Sequence, residues 1–384
     1  MQTIRNDLHA FSIHDWIILA MVTSIFLPHS LFLVVLTLLD VYILWNDKMI
    51  PTLMEHQTGK KYIYLFLFLS GIISLINVNG YGLTITLGFL GLFSFIGYYQ
   101  GHIHEKLFMY VIEWTIICSL INGIYALVQF AQISHAGGYS FFAFHIFNSP
   151  KRRIMTTFQN ANIYALMLDM VLACILYRFL QTRKISLKIW YVIIALFQFG
   201  LVLLTGCRSA LVPLVLVIPI LLICFGQKII LSMYCICLAG LLALVIQMPT
   251  LIPRFNDTST ITSRFTIWSY AWEGIKQRPL FGRGPWTFHL LHPIYKNHIG
   301  SHAHNIYIDL ILSHGIIGTG ILAGYVGVQF QNIRKLYTSS RPLFGLILAL
   351  TSIIAIMGLV DGTIEPLKTM MFFMMIITSY SMKK

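Results

Sequence analysis

Charge is what this chain of 384 residues has least of: 10% of its residues are charged, 13 of them acidic and 26 basic. A soluble globular surface carries roughly a quarter charged residues, so a soluble domain is excluded and the bilayer becomes the solvent. Paired cysteines are missing as well. Cys118, Cys174, Cys207, Cys224, Cys235 and Cys237 lie in or beside apolar runs without Cys-x-x-Cys spacing. That pattern argues against a zinc ribbon or disulfide framework and reads as ordinary buried thiols. No small-residue cleavage site follows a brief apolar core near the first residues, so the first apolar run is expected to be retained.

What the sequence has in abundance is hydrophobicity, at 57% of residues. A membrane helix needs about 20 apolar residues. About twelve runs approach that length, at 15–28, 30–46, 61–78, 81–100, 106–131, 158–180, 187–205, 209–226, 228–248, 303–330, 342–360 and 364–381. Pro28 and His29 mark either a tight turn or a kink between the first two. The expected fold is all-α and polytopic, with about twelve transmembrane helices. Residues 1–248 hold nine of them, 249–302 form one long loop subdomain, and 303–384 hold the last three.

Lys and Arg collect in short cytoplasmic loops. An even span count with both termini cytoplasmic puts most of the 26 basic residues inside. Eleven fall on the other face: Lys151, Arg152, Arg153, Arg208, Arg254, Arg264, Lys276, Arg278, Arg283, Lys296 and Lys368. The insertion bias does not account for these. An anionic ligand does, and arginine suits phosphate because its planar fork donates two hydrogen bonds and never deprotonates. Salt bridges and lipid headgroups are the plainer account, weakened by the presence of only Asp257 and Glu273 as carboxylates in the long loop. Arg208 stands in the hinge Thr205-Gly206-Cys207-Arg208-Ser209, where it either anchors a helix end or faces a ligand.

Five prolines between Pro249 and Ser301 preclude another span there. Within that loop, Phe265, Trp268, Trp272 and Ile275 recur every three or four residues, which predicts an amphipathic helix over 260–277 lying along the membrane surface. Thr262 or Ser263 would be its N-cap and Arg264 would sit in its first turn, where a cation opposes the helix dipole and needs a partner. Gly282 and Gly284 flank Arg283 and permit close backbone approach to a ligand. Five histidines follow: His289, His292, His298, His302 and His304. Their spacing lacks a His-x-x-x-His pair and no cysteine joins them, so no metal or other cofactor is expected. His304 enters the tenth span beside Asn305, with Asp309 on the same helix face as Asn305. A base at a membrane entrance meets both a lipid-borne donor and an aqueous acceptor, and Asp309 would orient it or stabilise its charged form. Helix capping is the plainer role for such a histidine.

Four stretches in order resemble the O-antigen ligase and polysaccharide polymerase superfamily, the WaaL/Wzy type. Phe158-Gln159-Asn160-Ala161-Asn162 with Ala165 is similar to its Phe-x-Asn-Pro-Asn-x-x-Ala segment, with Ala161 replacing proline. Thr205-Gly206-Cys207-Arg208-Ser209-Ala210 resembles its Thr-Gly-Ser-Arg-Ser-Ala hinge. Arg264 to Gly284 resembles its long-loop segment, and His304-Asn305-x-Tyr307-x-Asp309 with Gly315, Gly318 and Gly320 resembles its loop exit. The match covers roughly residues 155 to 325.

The resemblance implies an enzyme of the cytoplasmic (inner) membrane that works without metal on the extracytoplasmic side. It would move a glycan from an undecaprenyl-diphosphate carrier to a hydroxyl of a glycan or glycolipid acceptor, as ligase or as polymerase, with membrane lipid around it and no nucleic-acid partner. Arg208 and Arg264 would hold the diphosphate, with Arg283 and Arg153 assisting. His304 would be the general base, with His302 its rival, Asp309 beside them, and Asn162 and Asn305 in support. A flippase or exporter of lipid-linked oligosaccharide is the competing class. It would distribute charge through the spans rather than concentrate polar residues outside them.

Overall fold

In this computed structural model, residues 11–46, 57–146, 152–248, 259–291, 302–364 and 366–382 are described. Helices stand at every expected apolar run: α1 (Ile13–Ile25), α2 (His29–Asn46), α3 (Lys60–Ile76), α4 (Gly80–His102), α5 (Glu105–Ala136), α6 (Ala161–Gln181), α7 (Ile185–Leu204), α8 (Arg208–Cys224) and α9 (Lys228–Gln247). Two loop helices follow, α10 (Ser259–Gln277) and α11 (Thr287–Leu291), then α12 (Ile306–Ser339), α13 (Arg341–Met357) and α14 (Leu367–Thr378). No strand occurs among the described residues. α4, α5, α6, α7, α9 and α12 are long and apolar enough to cross a membrane, and α1, α2, α8 and α13 are shorter apolar helices. The chain is a multi-pass membrane protein.

The connections explain the architecture. Alternate turns gather at one end of the bundle. Lys368 Nζ donates to the carbonyls of Leu27 at 2.6 Å and Thr157 at 3.0 Å. Asn79 Nδ2 donates to the carbonyl of Pro285 at 2.7 Å, Arg153 Nη1 to that of Gly206 at 3.3 Å, and Asn305 Nδ2 to that of Leu359 at 3.0 Å. At the opposite end the α2–α3 connection meets the second half of α12, where Gln329 Nε2 donates to the carbonyl of Thr58 at 2.9 Å, and the α4–α5 connection meets the start of α1, where His104 Nε2 lies 3.4 Å from Asp15. An up-and-down bundle produces this parity. α6 lies at its centre, buried along most of its length, as a helix that is apolar on all faces requires.

Several local expectations change. Pro28 and His29 mark a turn: α1 ends at Ile25 and α2 starts at His29. α10 begins at Ser259, so Thr262 and Ser263 lie inside it and Arg264 falls in its second turn, away from the strongest part of the dipole. Its buried face carries Ile267, Ala271 and Ile275, while Phe265 and Trp272 are exposed. The small residues decide this. A Cβ on Gly274 would come within 2.5 Å of Leu291 and 2.8 Å of Leu312, so α10 packs closely on α11 and α12 along a face that aromatic spacing does not reveal.

The Gly282–Gly284 turn also finds a different neighbour. α12 breaks at Gly315 (φ 62°, ψ −174°), and the turn fits into the break. Gly284 N–H donates to the carbonyl of Ser313 at 2.8 Å, and Ile316 and Ile317 N–H donate to those of Pro279 and Leu280 at 2.9 and 3.0 Å. A Cβ on Gly282 would lie 2.3 Å from the Ser313 oxygen. The close backbone approach that these glycines permit is thus to the helix α12.

Candidate functional site

Asn305 caps α12 and sets the site. Its Oδ1 accepts from the N–H groups of Tyr307 and Ile308, satisfying two donors at the helix start. Its Nδ2 reaches the α13–α14 connection, and Ile306 N–H donates to the carbonyl of Gly358 at 2.8 Å. Glycine at 358 and 362 lets the two segments meet. A Cβ at 358 would be 2.3 Å from Ile306, and one at 362 would be 3.0 Å from the His302 ring.

This contact brings in Asp361, a residue the motif reading did not single out. Its Oδ1 accepts from His302 Nε2 at 3.0 Å, from His304 Nδ1 at 3.2 Å and from Gly362 N–H at 3.0 Å, and its Oδ2 accepts from Asn162 Nδ2. The hydrogen-bond pattern assigns the protons: His302 carries one on Nε2 and His304 one on Nδ1, leaving His304 Nε2 as a lone-pair nitrogen. Burial alone would raise the Asp361 carboxyl, but the two histidine hydrogen bonds outweigh it and hold the carboxyl well below the usual range. Burial lowers His304 below its ordinary 6.5, with the Asp361 hydrogen bond opposing. Asp309, the acid expected beside the histidines, lies within electrostatic reach of His302 and accepts from the main-chain N–H of Ala303 at 3.4 Å, which steadies the segment that carries them. His304 itself has φ +50°, a left-handed conformation that costs a non-glycine residue about 1–3 kcal/mol and clusters at functional sites.

Three of the four predicted arginines belong to the same assembly. Arg264 Nη1 donates to the His304 carbonyl at 3.3 Å. Burial lowers Arg264 from its ordinary value, the Asp361 charge pushes it back, and the Arg208 charge lowers it again, so all three lie within electrostatic reach. Arg208 opens α8, two residues after the left-handed Gly206. Cys207 next to it is raised to about 11 by burial, opposed by the Ser209 hydrogen bond and reinforced by Asp361, which keeps it a thiol. Arg153 is buried and links the hinge to the acid: its Nη1 donates to the Gly206 carbonyl and its Nη2 to Asn162 Oδ1 at 3.1 Å, while Asn162 donates to Asp361. Arg283 sits on the turn docked into α12, its Nη2 on Gln277 Oε1 at 2.9 Å. His289 is exposed, in ring contact with Tyr81 and Trp286. His292 and His298 lie outside the described residues.

His302, His304 and Asp361 present ligand atoms within 4.8 Å of one another, a set able to take a divalent cation. The arginines around them disfavour one, and suit an anion. Lys368, by contrast, is absorbed by structure: it donates to main-chain carbonyls and lies 4.1 Å over the Phe158 ring. Asp361 had a signal in the sequence. It is one of 13 acids, in a Gly-flanked turn on the same face as the loop, and an ionisable residue between two apolar spans is a functional candidate by itself.

Fold and site together define a polytopic helical membrane protein with arginines gathered around two histidines and an aspartate at one end of its bundle. Residues 190–323 match the family model for O-antigen ligase, so that part of the chain is similar to this family. The matched stretch includes Arg208, Arg264, Arg283, His302, His304, Asn305 and Asp309, and leaves Arg153, Asn162 and Asp361 outside it. No curated protein matches the chain.

Proposed function

We propose that the chain transfers a glycan from an undecaprenyl-diphosphate carrier to an acceptor hydroxyl on the extracytoplasmic face of the cytoplasmic membrane. The observation that carries this reading is the His304 Nδ1 to Asp361 hydrogen bond set among Arg153, Arg208 and Arg264. Asp361 orients the imidazole and leaves Nε2 to accept the proton of the acceptor O–H. The acceptor oxygen then attacks the anomeric carbon, the bond from that carbon to the phosphate oxygen breaks, and its electron pair leaves with the lipid diphosphate. Arg208 and Arg264 stabilise the charge that develops there. A single displacement inverts the anomeric centre. His304 is favoured over His302 because its side chain is 28% exposed against 15%.

The chemistry requires no metal. His304→Ala and Arg208→Ala, purified and given lipid-diphosphate glycan and acceptor, should remain folded in detergent and lose about a hundredfold or more of the transfer rate. Undiminished transfer by either variant would overturn the assignment. EDTA should leave the wild-type rate unchanged. Product chain length separates a ligase, which moves a finished chain once, from a polymerase, which yields a ladder.

A further inference from the structure

α7 and α8 are consecutive helices joined only by Thr205, Gly206 and Cys207, yet each packs on α6 and scarcely on the other. Helices joined by so short a turn are ordinarily neighbours along their length. Here they part below the turn. Pro213 and Pro219 interrupt the main-chain hydrogen bonds of α8 over the stretch where the two separate. The space between them, floored by α6, is a cavity of about 340 Å³. Leu176 of α6, Tyr191, Ala195 and Phe199 of α7, and Leu214 and Ile218 of α8 line it. Phe199 and Leu196 on its rim are exposed, so it opens sideways toward the surrounding lipid.

The apex of this wedge is the hinge that carries Arg208. Along α8 the cavity begins at Leu214, roughly 9 Å below Arg208, and extends to Ile218, roughly 15 Å below, at 1.5 Å per residue. Tyr191 lines its far end and donates to Glu113 Oε1, as Arg178 also does. An apolar slot, open to the membrane and ending under a phosphate-binding arginine, has the shape of a site for a lipid chain attached to a phosphate.

We propose that the α6–α7–α8 wedge holds the first part of the polyprenyl tail of the donor while Arg208 holds its diphosphate. This rests on the transferase reading above. The tail would then fix the direction in which the anomeric carbon faces His304. A bulk phospholipid, which also joins an apolar chain to a phosphate, and acceptor lipid are the rival occupants.

The test uses the full chain in nanodiscs with two donors bearing the same glycan diphosphate, one on a C55 and one on a C10 prenyl chain. Ala195→Trp and Leu214→Trp fill the wedge and should lower the C55 to C10 ratio of kcat/KM about tenfold, the scale on which an apolar pocket discriminates chain content. Leu241→Trp, on the exposed surface of α9, should leave the ratio as in the wild type. A C55 donor with a photoreactive group near its diphosphate end should label peptides of α6, α7 and α8. An unchanged ratio, or labelling confined to other helices, overturns the tail site. So does labelling by a photoreactive phospholipid that excess C55 donor does not displace. Wild-type transfer from neither donor would instead defeat the transferase reading.

Discussion

Histidines gather at both ends of the bundle, and they are held in opposite ways. At the end away from the candidate site, His104 caps α5: its Nδ1 accepts from Leu107 N–H, and its Nε2 lies 3.4 Å from Asp15. His14 and His102 stack 4.2 Å apart, each with Nδ1 bonded to Tyr98, one at the hydroxyl and one at the carbonyl. These rings join α1 to α4 and α5. At the site end, His304 sits in a left-handed turn with Nδ1 on a buried aspartate, Nε2 uncommitted to it, and arginines within electrostatic reach. Both ends pair histidine with a carboxylate. The difference is that, of these four residues, His304 alone has a positive φ, and arginines are gathered within its electrostatic reach, which is where chemistry is expected.

The sharpest way to break that contrast is to remove one ring from each end. His304→Ala should lower transfer about 10²–10⁴-fold, the usual scale of a lost general base. His104→Ala should keep transfer and lower the midpoint of thermal unfolding, since an N-cap contributes about 1 kcal/mol. The reverse pattern would dissolve the distinction. Next in size, Arg208→Ala or Arg264→Ala should cost about a hundredfold in kcat/KM for a diphosphate donor, as losing one charge-stabilising donor does.

Asp361→Asn follows, with a loss of about tenfold to a hundredfold in kcat and little change in KM, as for other groups that orient a histidine. Its rate profile carries the decisive sign. Burial lowers His304 and the Asp361 hydrogen bond raises it, so the acid limb should move to still lower pH when the aspartate is neutralised. In the wild type that limb should already lie below 6.5. Because the folded chain prefers neutral His304, this group's contribution to stability is present above 6.5 and lost as pH falls through its lowered value. Asp361 adds a second loss only at more acid pH, below its ordinary 3.8. The smallest effect on activity is expected from Lys368→Met, which leaves the carbonyls of Leu27 and Thr157 short of a donor and should cost about 1–3 kcal/mol of stability with transfer retained.

Most of the helical architecture is legible in the apolar runs because the bilayer sets one length scale for every span. The site was legible in part. Arg208, Arg264, His302 and His304 could be picked out as polar residues on the face that insertion bias does not favour. Arg153 was a weaker member of that set, yet it bridges the hinge to Asn162. Asp361 escaped because it lies 57 positions from His304, a separation that no spacing rule joins. The packed face of α10 was not legible for a related reason: Ala271 and Gly274 add little hydrophobicity to a pattern but allow the closest packing.

The sequence by itself determined the solvent of this protein, the positions of its helices, and the basic residues and histidines left over once insertion is accounted for. Those follow from composition and from lengths along one chain. Only the tertiary structure decided which acid holds the histidines, that Gly282 and Gly284 serve the break in α12, and that α7 and α8 part below Arg208. Hydrogen bonds near 3 Å and cavities between helices depend on how distant segments pack, and the linear order of residues does not hold that distance.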